Sequence, residues 1–209
     1  MLKLFYAPGS CALASHIALE EAGAAFQLEL VKLGEQQQRT PEYLALNPKG
    51  RVPALATDEG VITENPAILG YVAATHPKAN LMPKDPFAAA QVQAFNAFLC
   101  ATVHPTFAHK FRPYRYADDP AAHAAMAAKV PSVLDEHFGL IEEMLADGRE
   151  WVHGDYSTSD PYLFNFARWY QRDGMGAPAS RPLVRAHIKR MQERPAVQRA
   201  LASEGLPLL

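Results

Sequence analysis

The sequence predicts two domains, a small α/β domain with a mixed sheet followed by an all-α domain. Three observations predict this. Residues 1–76 alternate short apolar runs with helical patterns in the order β-α-β-α-β-β-α. Residues 77–86 hold Pro77, Pro83 and Pro86 and read as a linker. Residues 87–209 show only alanine-rich helical patterns.

Each element has its own signal. Leu2 to Tyr6 has strand character and stops at Pro8-Gly9. From Ser10 to Ala24, residues Ala12, Leu13, Ile17 and Leu19 fall at helical spacing, and Gly23 marks the end. Phe26 to Leu33 alternates apolar and polar residues as a second strand, and Pro41 to Leu46 suits a short helix. Val52 to Ala56 and Val61 to Thr63 read as two further strands around an Asp58-Glu59-Gly60 turn. Asn65 then caps a helix with Pro66 at its first position, running to about Thr75. In the second domain the helical patterns run from Phe87 to about Phe111, then over about 120–146, 158–172 and 181–203.

Composition narrows the function. A net charge of −2 over 209 residues argues against nucleic acid as the main partner, which favours a strongly basic domain. An apolar share of 49% is too high for disorder. No signal peptide is read at the start and no long apolar run suits a membrane, so the expected compartment is the cytoplasm. Phe87 to His109 holds no charged side chain but is too polar for lipid, and reads as a helix buried against other protein surfaces. Cys11 and Cys100 lack CxxC spacing, so free thiols are expected, with Cys100 a buried hydrophobe. Metal-ligand spacing, a phosphate-binding glycine loop and the hydrolase elbow are all missing, so neither metal nor nucleotide is expected.

Three elements can carry chemistry. Tyr6-Ala7-Pro8-Gly9-Ser10-Cys11 runs from a strand through a turn into a helix, placing a hydroxyl and a thiol at its first turn. The unpaired N–H groups and positive dipole there favour a thiolate, either that of Cys11 or that of a bound thiol. The alternative is a Ser N-cap followed by a buried Cys, with Tyr6 a core aromatic. In Asn47-Pro48-Lys49-Gly50-Arg51-Val52-Pro53, a cis Val52-Pro53 bond would leave the Val52 backbone free to pair with an extended peptide; otherwise the strand simply starts after Pro53. Thr63-Glu64-Asn65-Pro66 is either a plain N-cap or a polar pocket for an amino-acid head group. His104 alone reads as a satisfied buried side chain. Ser157-Thr158-Ser159-Asp160 is a capping box, a folding signal. The arginines and lysine between Arg181 and Arg199 read as a solvated helix face.

Taken together in order, these segments resemble the glutathione S-transferases, most closely the bacterial beta class. The resemblance spans the whole chain. It rests on LFYAPGSCALASHIALEEAG, LNPKGRVPAL, TENPAI, the histidine of the first long helix, STSDPYLF and the closing MQERPAVQRAL. It implies a thioredoxin-like N-terminal domain, an all-helical C-terminal domain carrying the second-substrate site, and a homodimer. Glutathione would be the co-substrate and a small hydrophobic electrophile its partner in a detoxifying transfer. The resemblance gives Cys11 a contact with the glutathione sulfur, Ser10 and Tyr6 places beside it, and His104 a place across the cleft. Val52 with Pro53 would hold the cysteinyl backbone, and Glu64 with Asn65 the γ-glutamyl head. Three departures stand out. Asn65 replaces a serine and Gln36 replaces a lysine that would meet a carboxylate. Ala97 takes the place of an asparagine, with Asn96 adjacent but facing elsewhere. Two other readings share the fold: thiol-disulfide exchange or isomerisation through Cys11, and a non-catalytic binding protein.

Overall fold

Strands β1 (Leu2–Tyr6), β2 (Phe26–Leu30), β3 (Ala54–Thr57) and β4 (Gly60–Thr63) form one mixed sheet in the order β2-β1-β3-β4. The computed structural model describes residues 1–172 and 174–209. β1 runs parallel to β2 and antiparallel to β3, with Leu4 opposite Leu28 on one side and Leu55 on the other. Leu4 and Leu55 have no solvent exposure, as a central strand pair covered by helices requires.

Helix α1 (Ala12–Glu21) makes the crossover from β1 to β2. Every residue from Ala12 to Leu19 is buried, because α1 packs on the sheet, on α3 (Asn65–Thr75) and on two C-terminal helices, α7 (Ser159–Tyr170) and α9 (Pro195–Ser203). An apolar surface on all sides suits a helix at the seam of two domains. Its buried polar side chains are paired: Ser15 donates to Asn65 at 2.6 Å and His16 meets Glu204 at 2.9 Å. The short α2 (Pro41–Leu46) is capped by Thr40, whose hydroxyl accepts from the Tyr43 N–H.

The remaining helices are α4 (Pro86–Phe98), α5 (His104–Phe111), α6 (Pro120–Met144) and α8 (Pro182–Glu193). The predicted helix from Phe87 to about Phe111 is α4 and α5 joined through a wide π turn at Leu99–Val103. The helix predicted over about 181–203 is two, broken at Arg194, whose extended backbone is what a following proline favours. The second strand ends at Leu30, three residues early, where the chain turns into the 3-10 segment Leu33–Glu35. Glu64, at φ 74°, stands in the cap position expected of Asn65.

The capping box holds in part: the Asp160 carboxylate accepts from the Ser157 N–H at 2.8 Å, and Ser157 Oγ accepts from Ser159 N–H. Asp160 also accepts from the Val152 N–H and pairs with His187. Pro161 falls within the first turn, where an N–H has no helical partner to lose. Two of the arginines expected on a mostly solvated face also reach acids of α1 across the domain seam. Arg194 meets Glu21 at 2.6 Å and Arg199 meets Glu20 at 2.6 Å.

Candidate active site

The turn at Pro8-Gly9-Ser10 delivers Ser10 and Cys11 to the amino end of α1. Gly9 sits at φ 66°, a conformation that favours glycine. Its N–H donates to Glu204 Oε2 at 2.9 Å, and its carbonyl accepts from the Trp169 indole N–H at 3.0 Å. Ser10 Oγ accepts from the Ala12 N–H at 3.3 Å. The turn is thus fixed by its own cap and by two side chains of the C-terminal domain.

Above it lies a cleft of about 500 Å³ between the domains. Ser10, Cys11, Val52, Pro53, Glu64, Asn65 and His104 all line it. The Val52-Pro53 bond is cis, and β3 starts only after Pro53. The Val52 carbonyl accepts from the Cys11 thiol at 3.5 Å, and the Val52 N–H has no protein partner among the described residues. The Glu64 carboxylate is half exposed and held by Lys49 at 2.7 Å.

Two electrostatic results qualify the expectations. Burial pushes the Cys11 thiol up to about 12. The side chain is 8% exposed, so desolvation outweighs the helix dipole and Cys11 rests as a neutral thiol. Burial, reinforced by Arg51, Arg112 and Arg115, pulls His104 down to about 4, so its imidazole is neutral at ordinary pH. The ring packs on Phe166 and Trp169, at 5.2 and 5.5 Å between centroids.

Several expected placements change. Tyr6 does not line the cleft; it is buried, 6.1 Å from the His16 ring, because its strand position points the side chain into the core. Gln36 takes a left-handed conformation and does not line the cleft either, whereas Gln38 does. Asn65 is 4% exposed and its amide is engaged: Oδ1 accepts from Ser15, and Nδ2 donates to the Cys11 carbonyl at 2.8 Å. Its side chain therefore braces the Cys11 turn, with both amide atoms already engaged at the edge of the cleft. Asn96, by contrast, faces elsewhere as expected, donating to Thr158 at 3.1 Å. Cys100 is only half-buried and lines the cleft near Tyr162.

Arg51, Arg112, Arg115, Tyr162 and Trp169 also line the cleft, and sequence reasoning missed them. One signal was available: His104, Ala108, Phe111, Arg112 and Arg115 recur at helical spacing on one face. Among the described residues no His, Cys, Asp and Glu group is arranged to hold a metal ion, and no helix is long and apolar enough to cross a membrane.

Comparison with known proteins agrees with this architecture. Residues 1–74 match the family model "Glutathione S-transferase, N-terminal domain", and residues 106–204 match "Glutathione S-transferase, C-terminal domain". The chain is 35% identical to Glutathione S-transferase GstA of Escherichia coli O157:H7 over 98% of this chain and 100% of that protein. It is 30% identical to the maleylpyruvate isomerase of a Ralstonia species over 88% of each. A glutathione transferase homologue from Sulfitobacter, solved with bound glutathione, superposes with a TM-score of 0.92 at 38% identity over 99% of both chains. The beta-class enzyme of Sphingomonas chungbukensis gives 0.84 at 35% over 98% of this chain and 100% of that one. The two-domain fold, the motifs in their order and these full-length matches agree, and the chain belongs to the glutathione S-transferase family.

Proposed function

We propose that this protein is a cytoplasmic glutathione transferase that ionises the glutathione thiol at the amino end of α1 and directs it at a small electrophile. One observation carries the reading: Ser10, Cys11, Val52, Glu64 and His104, drawn from both domains, meet in one cleft. The unpaired Val52 N–H and the neighbouring carbonyl suit the extended cysteinyl backbone. Glu64 offers its carboxylate to the γ-glutamyl ammonium, and Asn65 acts behind it as a positioning residue through the Cys11 carbonyl.

The chemistry is thiolate stabilisation. Lowering a thiol pKa by two units needs about 2.7 kcal/mol. The end of α1 supplies about 0.3–2 kcal/mol, and one or two hydrogen bonds to the charged sulfur supply about 1.5–3 kcal/mol each. Ser10 has a hydroxyl proton to donate, and neutral His104 has one ring N–H. The thiol proton leaves to water, the sulfur forms a bond to the electrophilic carbon, and the leaving group departs with its electron pair. The aromatic wall of Phe107, Phe111, Tyr116 and Trp169 suits an apolar second substrate.

The protein acts as a homodimer. The exposed face of α4 carries Phe87, Ala90, Ala94 and Ala97 and no charge, the composition of an interface core.

Calorimetry with reduced glutathione, thiolate absorbance and conjugation of a chlorodinitrobenzene test the reading. Heat, a thiolate band and turnover are expected; their joint absence would overturn it. A second reading, glutathione-dependent isomerisation, is favoured by the Ralstonia maleylpyruvate isomerase, matched over 88% of each chain. Conversion of a cis-unsaturated diacid without net consumption of glutathione would select it. Cys11→Ala separates thiol-disulfide exchange, which needs that sulfur, from conjugation, which retains its glutathione thiolate.

A further inference from the structure

Three arginines from both domains line the cleft. Arg112 follows α5 directly, Arg115 stands one short turn later, and Arg51 comes from the N-terminal domain beside Val52. Among the described residues none of the three has a carboxylate within salt-bridge distance. Arg115 feels the other two: burial and then the charges of Arg51 and Arg112 lower it, and all three help to lower His104. Like charges gathered around a concave site, none of them ion-paired among the described residues, raise the energy of the empty protein and favour an anion from outside. Phe107, Ala108, Phe111 and Tyr116 line the same cleft, Phe111 and Tyr116 with about half of their apolar rings exposed. The Tyr116 ring is held in place by stacking on His109 at 3.9 Å.

We propose that the second substrate is an anion: an electrophile whose planar or unsaturated apolar body lies on the Phe107–Tyr116 wall while its carboxylate is held by Arg112 and Arg115. The inference rests on the transferase reading and narrows its substrate from hydrophobic to hydrophobic and carboxylated. Arginine is suited to this because its planar fork bonds a carboxylate through two parallel N–H groups. Arg112 and Arg115 belong to the C-terminal domain, whereas the groups assigned to glutathione, His104 apart, lie in the N-terminal one. The reaction keeps its balance: sulfur bonds to the activated carbon, the leaving group takes its electron pair, the thiol proton goes to water, and the carboxylate takes no part beyond docking.

The test compares a neutral chlorodinitrobenzene with a chlorodinitrobenzoate differing by one carboxylate, and adds unreactive dinitrobenzoate as a binding probe read by tryptophan quenching. The expected result is a preference of about tenfold to a hundredfold in kcat/KM for the carboxylated electrophile. That preference weakens as salt rises. The double variant R112Q/R115Q abolishes it, read as the ratio of kcat/KM for the carboxylated compound to that for the neutral one in the same variant, and R112K/R115K restores part of it. Dinitrobenzoate binding without any conjugation would keep the anion site and discard the transferase reading. Equal turnover of the two electrophiles would keep the transferase and overturn the anion site. A rise in glutathione KM in R112Q/R115Q would also overturn it, by assigning the arginines to glutathione.

Discussion

The Trp169 indole N–H donates to the Gly9 carbonyl at 3.0 Å, joining α7 of the second domain to the turn that carries Ser10 and Cys11. Trp169 also packs on His104, Phe107 and Phe166. Trp169→Phe keeps most of that packing and removes the hydrogen bond. Stability should fall by about 1 kcal/mol in urea unfolding, with a rise in glutathione KM.

Glu204 grips the same glycine from its other side, and both its oxygens are engaged, one by Gly9 and one by His16. Glu204→Gln preserves an acceptor for Gly9, whereas Glu204→Ala leaves the Gly9 N–H and the His16 ring without a partner. Glu204→Ala should cost about 3 kcal/mol and Glu204→Gln clearly less, measured by denaturant midpoints.

Cys11 should alkylate slowly. With its thiol at about 12, the thiolate fraction at pH 8 is on the order of one in ten thousand, about a thousandfold below a free cysteine. The labelling rate measured by mass spectrometry should climb about tenfold per pH unit toward pH 12. The folded thiol binds its proton more tightly than the unfolded one, so its contribution to stability is present below pH 9 and is lost as pH rises from 9 to 12.

His104 gives the opposite sign on the acid side. Its folded pKa of about 4 lies below the ordinary 6.5, so the unfolded chain binds more protons between those values. Stability should therefore decline as pH falls from 6.5 to 4, and His104→Gln should flatten that decline in a series of urea midpoints. A glutathione conjugation profile should show no limb from His104 between pH 5 and 8.

Light scattering should give twice the 23.0 kDa chain mass, and Phe87→Glu, on the most exposed part of α4, should shift the protein toward monomer.

Much of this was legible in the sequence because it depends on local rules. Pro8-Gly9, the Thr63–Pro66 segment and the change from alternating to helical patterns near residue 76 act within a few residues of themselves. The hidden part depends on distant neighbours. Tyr6 and Cys11 lie in one motif, yet only Cys11 reaches the cleft, since strand β1 turns Tyr6 toward His16. Asn65 has the chemistry of a ligand-binding side chain, but Ser15 and the Cys11 carbonyl engage it, and neither partner is close in sequence. Arg112 and Arg115 share a helical spacing with His104, but that spacing acquires meaning only when the chain at the end of α5 brings them to the cleft. The thiol of Cys11 was expected at a favourable helix end, where burial proves the stronger effect.

The wide turn at Leu99–Val103 lets two surfaces on one rod be aimed independently. A π turn is equivalent to one extra residue in an α-helix, and each residue rotates the remainder of the helix by about 100°. Phe87 and the alanines before the turn are exposed, while His104 and the arginines after it line the cleft. Deleting exposed Ala101 would swing the second set out of register with the first and leave the first where it is. In this chain the orientation of the chemistry relative to the outer face of the rod is therefore a matter of a single inserted or deleted amino acid, a far smaller change than rebuilding either surface.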